Sequence, residues 1–286
     1  MTTFSRAGLV VKPDDASVAD TLAEVIDRLD ALGIDYMADH STASLAGNRP
    51  TVDLDTLGKS VDVAIVIGGD GTMLNAARQL VDHDVPIIGV NRGRRGFLVD
   101  VLPDEGLGTL SAILRGECYA EQRTMLSARI MRAGKRVASS TALNDAVLRV
   151  TDVLRLMDFD ICIDGHLVTR QRADGLIVAT PSGSTAYSLS NGGPIVAPTI
   201  GAFVLQPICP HVLSSRPLVV DASRRIEAHL QDDDIGTVQL VCDGQVYMEA
   251  NPGDVIVVER HPRKLTMLHP ASYDYHRLLR EKLNWV

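Results

Sequence analysis

The feature that most constrains this chain is a change of hydrophobic period near residue 120. Before it, short apolar runs alternate with stretches of helical spacing. AGLVV at 7–11, IDYM at 34–37, VDVAIVI at 61–67 and VPIIGV at 85–90 read as strands. Between them Val18, Leu22, Val25, Ile26, Leu29 and Leu32 recur at helical spacing, with Gly33 placed to end that helix. Met73, Leu74, Ala77, Leu80 and Val81 share one face of another helix. Apolar strands separated by amphipathic helices predict a parallel α/β layer.

After residue 120 the period is two. In MDFDICIDGHLV, Met157, Phe159, Ile161 and Ile163 alternate with Asp158, Asp160, Cys162 and Asp164, and Asp164-Gly165 supplies the positive-φ residues of a hairpin turn. TVQLVCDGQVYM repeats the device with Asp243-Gly244, DVIVVER at 254–260 continues the pattern, and SYDYHRLLREKLNWV reads as a terminal helix. At 286 residues the chain is longer than most single cores serve, so two domains are expected. The expected division is an α/β domain over 1–122 with a Rossmann-like parallel sheet, a β-rich domain over 123–268, and a segment over 269–286 whose helix returns to the first domain.

Charge and composition exclude several classes of function. A net charge of −8 opposes a general affinity for nucleic acid or an anionic membrane, so any phosphate site must be local. No apolar run approaches the roughly 20 residues that cross a bilayer, and MTTFSRAGLVVKPDD lacks the features of a secretory leader, so a cytoplasmic location is expected. Cys118, Cys162, Cys209 and Cys242 are scattered, as suits reduced, packed thiols. The eight histidines form no HxxxH or similar ligand set, and no metal-binding residues are assigned.

The strand at 61–67 runs into Gly68-Gly69-Asp70-Gly71-Thr72 and then into a helix. Ligands of parallel α/β sheets sit at such strand ends. Glycine there permits unusual φ and removes side chains, so that backbone N–H groups and a helix N-terminus can approach phosphate oxygens. The loop has neither a Walker lysine nor the full GxGxxG pattern, which disfavours a P-loop ATPase or a Rossmann dehydrogenase. Asp70 is out of place beside a phosphate unless it holds a metal, accepts a proton or hydrogen-bonds a hydroxyl. Its bland alternative is to cap the helix that follows. TPSGSTAYSLSNGGP at 180–194 gathers hydroxyls and exposed amides, which could form a ribose- or anion-binding wall or simply a surface loop.

GGDGT at 68–72, Asn144-Asp145 in TALNDAVL, RADGLIVATPSGSTAYSLSNGGPIVAP at 172–198 and PHVLSSRPLVV at 210–220 together resemble the bacterial branch of the NAD kinase family. The order and spacing agree from about residue 61 to 250. Other kinases with a GGDG loop, acting on lipids or sugar phosphates, would leave Asn144-Asp145 and the 180–194 segment unexplained. A non-catalytic dinucleotide sensor would be expected to lack Asp70.

The resemblance implies phosphorylation of the 2′-hydroxyl of the adenosine ribose of NAD, giving NADP, with ATP as donor and a divalent metal, Mg2+. It implies that Asp70 is the general base. A loose phosphoryl-transfer transition state releases that proton late, so an ordinary carboxylate suffices if it is well placed. By the same resemblance Gly68, Gly69, Thr72 and Asn91 are phosphate-binding. NAD is held by Gly71, Asn144, Asp145, Arg155, Arg172, Asp174, Thr185, Ala186, Tyr187, Ser190 and Gln245. Asn144 and Asp145 serve the adenosine part, and Asp174 the nicotinamide end. Arg92, Arg94 and Arg95 in NRGRRGF could guide the triphosphate or lie in a solvated loop. Relatives are homodimers or homotetramers, so self-association is the partner expectation beyond NAD and ATP.

Overall fold

The computed structural model describes residues 3–12, 18–42, 50–91, 96–99, 101, 108–151, 156–212, 214–231 and 237–285. Arg92, Arg94, Arg95 and Arg155 lie outside the described residues. The chain divides into two compact units, residues 1–122 with 265–286, and residues 123–264.

The first unit is built on a seven-stranded sheet in the order Thr51–Val52, Asp35–Asp39, Arg6–Val11, Val63–Ile67, Ile87–Val90, Leu265–Pro270 and Cys118–Arg123. The pairings among the first five strands are parallel. Val63–Ile67 is buried at every position, as an all-apolar, β-branched central strand should be. The helix Ala19–Leu32 buries Leu22, Val25 and Leu29, and ends at Gly33, whose φ of 67° lets its N–H turn back to the Asp30 carbonyl at 3.1 Å. The helix Asp70–Leu80 buries Met73, Leu74, Ala76, Ala77 and Leu80. The terminal helix Tyr275–Leu283 belongs to the same unit, and Asp274 caps it by accepting from the His276 and Arg277 N–H groups. Leu265–Pro270, whose residues 265–268 fall in the segment expected to belong to the β-rich domain, instead joins this sheet, pairing parallel with Ile87–Val90 through Met267 and Ile87.

The second unit has two six-stranded sheets. One runs His166–Ala173, Met157–Ile163, Ile226–Leu230, Val255–Arg260, Leu126–Arg132, Lys135–Ala142. The other runs Leu218–Asp221, Ala202–Ile208, Gly175–Ala179, Asp145–Val150, Val238–Cys242, Val246–Ala250. One apolar cluster takes side chains from both sheets, including Ile130, Phe159 and Ile256 from the first and Leu148, Phe203 and Leu240 from the second. Both Asp-Gly pairs form the expected turns: Asp164 and Gly165 have φ of 50° and 78°, Asp243 and Gly244 of 53° and 65°.

Candidate functional site

In the first unit the strands Val63–Ile67 and Ile87–Val90 pair in register, Ile67 opposite Val90. Their ends therefore deliver the glycine loop and Asn91 side by side. The Gly68 N–H donates to the Val90 carbonyl at 3.0 Å, and the buried Asn91 donates its own N–H to Val101 at 2.8 Å. None of Gly68, Gly69 and Gly71 has a positive φ. The expectation that these glycines supply unusual backbone angles is thus corrected, because what they supply is the absence of a side chain. A Cβ on Gly68 would stand 2.6 Å from the Thr72 hydroxyl oxygen, whereas one on Gly69 would meet nothing within 4 Å.

Asp70 is the first residue of the helix, and Gly69 occupies the cap position without a side-chain bond. The Asp70 carboxylate reaches instead to the segment after Asn91. Its Oδ2 accepts from the Phe97 N–H at 3.1 Å and its Oδ1 from the Leu98 N–H at 3.2 Å. The approach is so close that a Cβ on Gly96 would stand 1.9 Å from Oδ1. The group expected to be either a base or a helix cap is therefore a half-buried carboxylate fixed by two backbone donors at a helix N-terminus. The first-turn amides and the helix dipole there favour anions.

In the second unit a cavity of about 300 Å³ opens on the strand Asp145–Val150. The two-residue period of that strand decides what faces it. Asp145, Val147 and Arg149 line the cavity, while Ala146 and Leu148 belong to the core behind. Strand register carries the wall outward, since Val147 lies opposite Val241 and Val241 opposite Tyr247. Asn144, Ala186, Tyr187, Asp243 and Gly244 complete the lining. The result is an apolar floor with two carboxylates at one end, a guanidinium on the same strand, and two exposed tyrosines. Of the residues expected to hold NAD, Asn144, Asp145, Ala186 and Tyr187 meet here. Arg149, Asp243 and Tyr247 were not singled out as ligands.

The neighbouring carboxylate acts on Asp145. Burial, followed by the charge of the neighbouring Asp243, pushes the Asp145 carboxyl up to about 7. Asp243 is itself buried and takes three backbone donors, the N–H groups of Leu143, Asn144 and Asp145, at 3.1, 2.7 and 3.3 Å.

The 180–194 loop spends many of its hydroxyls on backbone carbonyls and a neighbouring guanidinium. Thr180 donates to the Leu143 carbonyl, Ser184 to Pro181 at 2.6 Å and Thr185 to Ser182 at 3.1 Å, while Ser182 accepts from Arg123 at 3.2 Å. A hydroxyl has one proton, so Thr185 in this geometry meets a ligand only as an acceptor. The loop is also pinned to the Asn144 backbone. The Thr180 N–H donates to the Asn144 carbonyl at 2.8 Å, and a Cβ on Gly183 would stand 2.1 Å from that oxygen.

The other described residues expected to hold NAD lie outside that cavity lining. The exposed Arg172 guanidinium comes within 4.0 Å of Asp158 on the adjacent strand. Asp174 sits between two strands, its N–H donating to Ile208 at 3.0 Å, with the Cys209 thiol beside its carboxylate. Burial first, and that carboxylate second, push the thiol up. Ser190 ends the short helix Tyr187–Ser190, and Gln245 follows the Asp243-Gly244 turn.

Comparison with known proteins assigns both units. Residues 7–118 match the ATP-NAD kinase N-terminal domain, and residues 143–269 the ATP-NAD kinase C-terminal domain. The chain is 41% identical over 287 residues to an NAD kinase of Chromohalobacter salexigens, covering 100% of this chain and 98% of that protein. An NAD kinase of Acinetobacter baylyi is 42% identical over 284 residues, covering 99% and 92%. Among solved structures, yeast NADH kinase complexed with NADH superposes with a TM-score of 0.88 at 27% identity, over 98% of this chain and 88% of that one. An NAD kinase from Archaeoglobus fulgidus in complex with ATP gives 0.75 at 27%, over 98% and 99%.

Proposed function

Because this chain belongs to the NAD kinase family, we propose that it transfers the γ-phosphoryl group of ATP to the 2′-hydroxyl of the adenosine ribose of NAD, with Asp70 as the base that receives the hydroxyl proton. ATP-dependent conversion of NAD to NADP is its activity. The observation that carries the assignment of the base is the Asp70 carboxylate itself. Two backbone N–H groups fix its direction, and a glycine loop and helix N-terminus stand beside it. A rigidly aimed carboxylate suits a reaction in which position matters more than basicity.

The phosphates are assigned to Gly68, Gly69, Thr72 and Asn91. Asn144 and Asp145 take the adenosine, the carboxylate accepting from vicinal ribose hydroxyls and the carboxamide both donating and accepting. Gly71, Arg155, Arg172, Asp174, Thr185, Ala186, Tyr187, Ser190 and Gln245 are assigned to the rest of NAD. The cavity supports this division, since its carboxylate end suits hydroxyl donors and its apolar floor and tyrosines suit an aromatic ring.

Magnesium is assigned to the triphosphate rather than to a cage of side chains, as is usual for an ion that keeps much of its water. Among the described residues no group of three His, Cys, Asp or Glu side chains is placed to hold a metal. The ion would neutralise charge on the transferring phosphoryl group. Asp70, already engaged by two amides, is left to its proton.

Self-association as a homodimer or homotetramer is part of the same proposal. It is supported by exposed apolar side chains on two edge strands, Leu167 and Val168 on one and Leu218 and Val219 on the other. Light scattering of the purified chain measures it, and a monomer at micromolar concentration would remove it. We place the enzyme in the cytoplasm; no helix among the described residues is long and apolar enough to cross a membrane.

The test of the reaction is purified protein with NAD, ATP and magnesium, followed by detection of NADP with an NADP-specific dehydrogenase. Product is expected; binding of NAD without product would leave a dinucleotide sensor.

A further inference from the structure

We propose that Asp243, which the sequence presents only as a hairpin-turn residue, is a positioning residue for NAD: its carboxylate holds the Asn144-Asp145 bend in the shape that meets the dinucleotide. This rests on the assignment of Asn144 and Asp145 to NAD made above.

The chain contains its own control. Asp164-Gly165 and Asp243-Gly244 are the same dipeptide with both residues at positive φ, the first filling a two-residue loop between Ile163 and His166, the second opening a three-residue loop between Cys242 and Val246. The Asp164 side chain serves the exposed surface, accepting from the Arg225 N–H at 3.0 Å and the Arg224 guanidinium at 2.9 Å. The Asp243 side chain is buried and points at the chain 99 residues earlier. There it collects three consecutive N–H groups, of Leu143, Asn144 and Asp145, and its own N–H donates to the Asp145 carbonyl at 3.0 Å. Asp164 makes one such pair with Arg225, donating its N–H to that residue's carbonyl at 2.9 Å; what sets Asp243 apart is its burial and the two further N–H groups, of Leu143 and Asn144, that its carboxylate collects.

The carbonyl side of the same bend is gripped from the other direction. Thr180 donates its hydroxyl to Leu143 and its N–H to Asn144, and Gly183 packs so closely that no side chain fits between. With both edges of the peptide fixed, the directions in which the Asn144 and Asp145 side chains leave the backbone are fixed as well. Removing the Asp243 acceptor frees one edge and leaves buried N–H groups without their partner.

Asp243 also sets the charge that Asp145 faces. The titratable and charged groups lining the cavity with Asp145 are Asp243 from the turn, Arg149 from its own strand, Tyr187 from the short helix and Tyr247 from the edge strand. Ionised Asp145 offers both oxygens as acceptors to vicinal ribose hydroxyls, whereas the protonated form turns one into a donor. The KM for NAD should therefore fall as pH rises through the Asp145 titration, and loss of the Asp243 charge should move that fall to lower pH.

The experiment is Asp243→Asn in the full-length enzyme. Asn-Gly keeps the turn and the side-chain volume while removing the charge and one acceptor oxygen. The KM for NAD is expected to rise on the order of tenfold, with kcat and the KM for ATP within about twofold, and the midpoint of its pH dependence should move acid by on the order of one unit. Asp164→Asn, at the same dipeptide on the exposed surface, should leave all three unchanged. An unchanged KM for NAD, a KM increase shared equally by ATP, or a pH midpoint that stays in place would overturn the proposal.

If Asp243→Asn fails to fold, Asp243→Glu keeps the charge on a longer arm. It should raise the KM for NAD with the midpoint unmoved, and an unchanged KM there overturns the proposal equally. Asp145→Asn separates this inference from the reading beneath it. If that variant leaves the KM for NAD unaltered, the assignment of Asp145 to NAD is wrong. If it raises the KM while Asp243→Asn does not, only the positioning role falls.

Discussion

Replacing Asp145 by Asn should change stability and NAD affinity in opposite directions, and pH separates the two. In the folded chain burial, with the Asp243 carboxylate adding to it, pushes the Asp145 carboxyl up to about 7. In the unfolded chain the group returns to about 3.9. The folded value lies above the unfolded one, so between about pH 4 and pH 7 folding takes up a proton and stability falls as pH rises. A shift of about 3 units at about 1.4 kcal/mol each bounds the loss at about 4 kcal/mol, complete above about pH 7. Asn is nearly isosteric and neutral throughout, but its buried amide still needs partners, which takes back about 1–2 kcal/mol. At about pH 8 the variant should be more stable by on the order of 2 kcal/mol, or about 4–8 °C in Tm, and near about pH 4.5 the gain should vanish. Thermal unfolding followed by circular dichroism across that range measures it. The KM for NAD should rise on the order of tenfold, because the amide loses one of the two oxygens offered to vicinal hydroxyls. A variant less stable than its parent at the higher pH, or stabilised equally at both, would refute the argument from a buried carboxylate.

Three further outcomes follow from single contacts. Gly96→Ala places a Cβ where the Asp70 carboxylate now lies, 1.9 Å from Oδ1, so kcat should drop on the order of a hundredfold while Tm changes little; kinetics beside a melting curve check this. Gly183→Ala drives a Cβ to 2.1 Å from the Asn144 carbonyl oxygen, and should destabilise by about 1–3 kcal/mol and raise the KM for NAD together. Arg132→Ala removes the cation that makes two 2.9 Å bonds to the buried Asp254. Burial works against the charged form of Asp254, but bonds from Arg132 and the Asn251 N–H hold its carboxyl below the usual range. The stability Arg132 contributes is therefore present at neutral pH and lost as pH falls through the Asp254 titration, so the Tm deficit of Arg132→Ala should shrink in acid.

What the sequence made legible was what depends on neighbours along the chain. Gly33 ends its helix in the left-handed conformation, and both Asp-Gly pairs turn as their type requires. The glycine loop lies at the end of a buried strand and opens a helix. What depends on strand register was hidden. Tyr247 reaches the cavity because it lies opposite Val241, which lies opposite Val147, and nothing in the linear sequence states that alignment. Leu265–Pro270 carries no mark that it pairs with Ile87–Val90 rather than with its predecessors. Of the two roles expected of the glycines at 68–71, the unusual φ is absent, and Gly68 matters through the other, the space it leaves to Thr72. Asp243 and Asp164 are indistinguishable as dipeptides, and only burial and the backbone groups they reach tell them apart.

The central claim is that the side chain at position 70 receives the proton of the hydroxyl that is phosphorylated. Asn keeps an oxygen for the Phe97 and Leu98 N–H groups but has no site basic enough for that proton. The decisive measurement is kcat of Asp70→Asn beside its Kd for NAD. The account predicts a Kd within about twofold and a kcat lowered on the order of 10²–10⁴; turnover near that of the parent, with NAD bound normally, would contradict it.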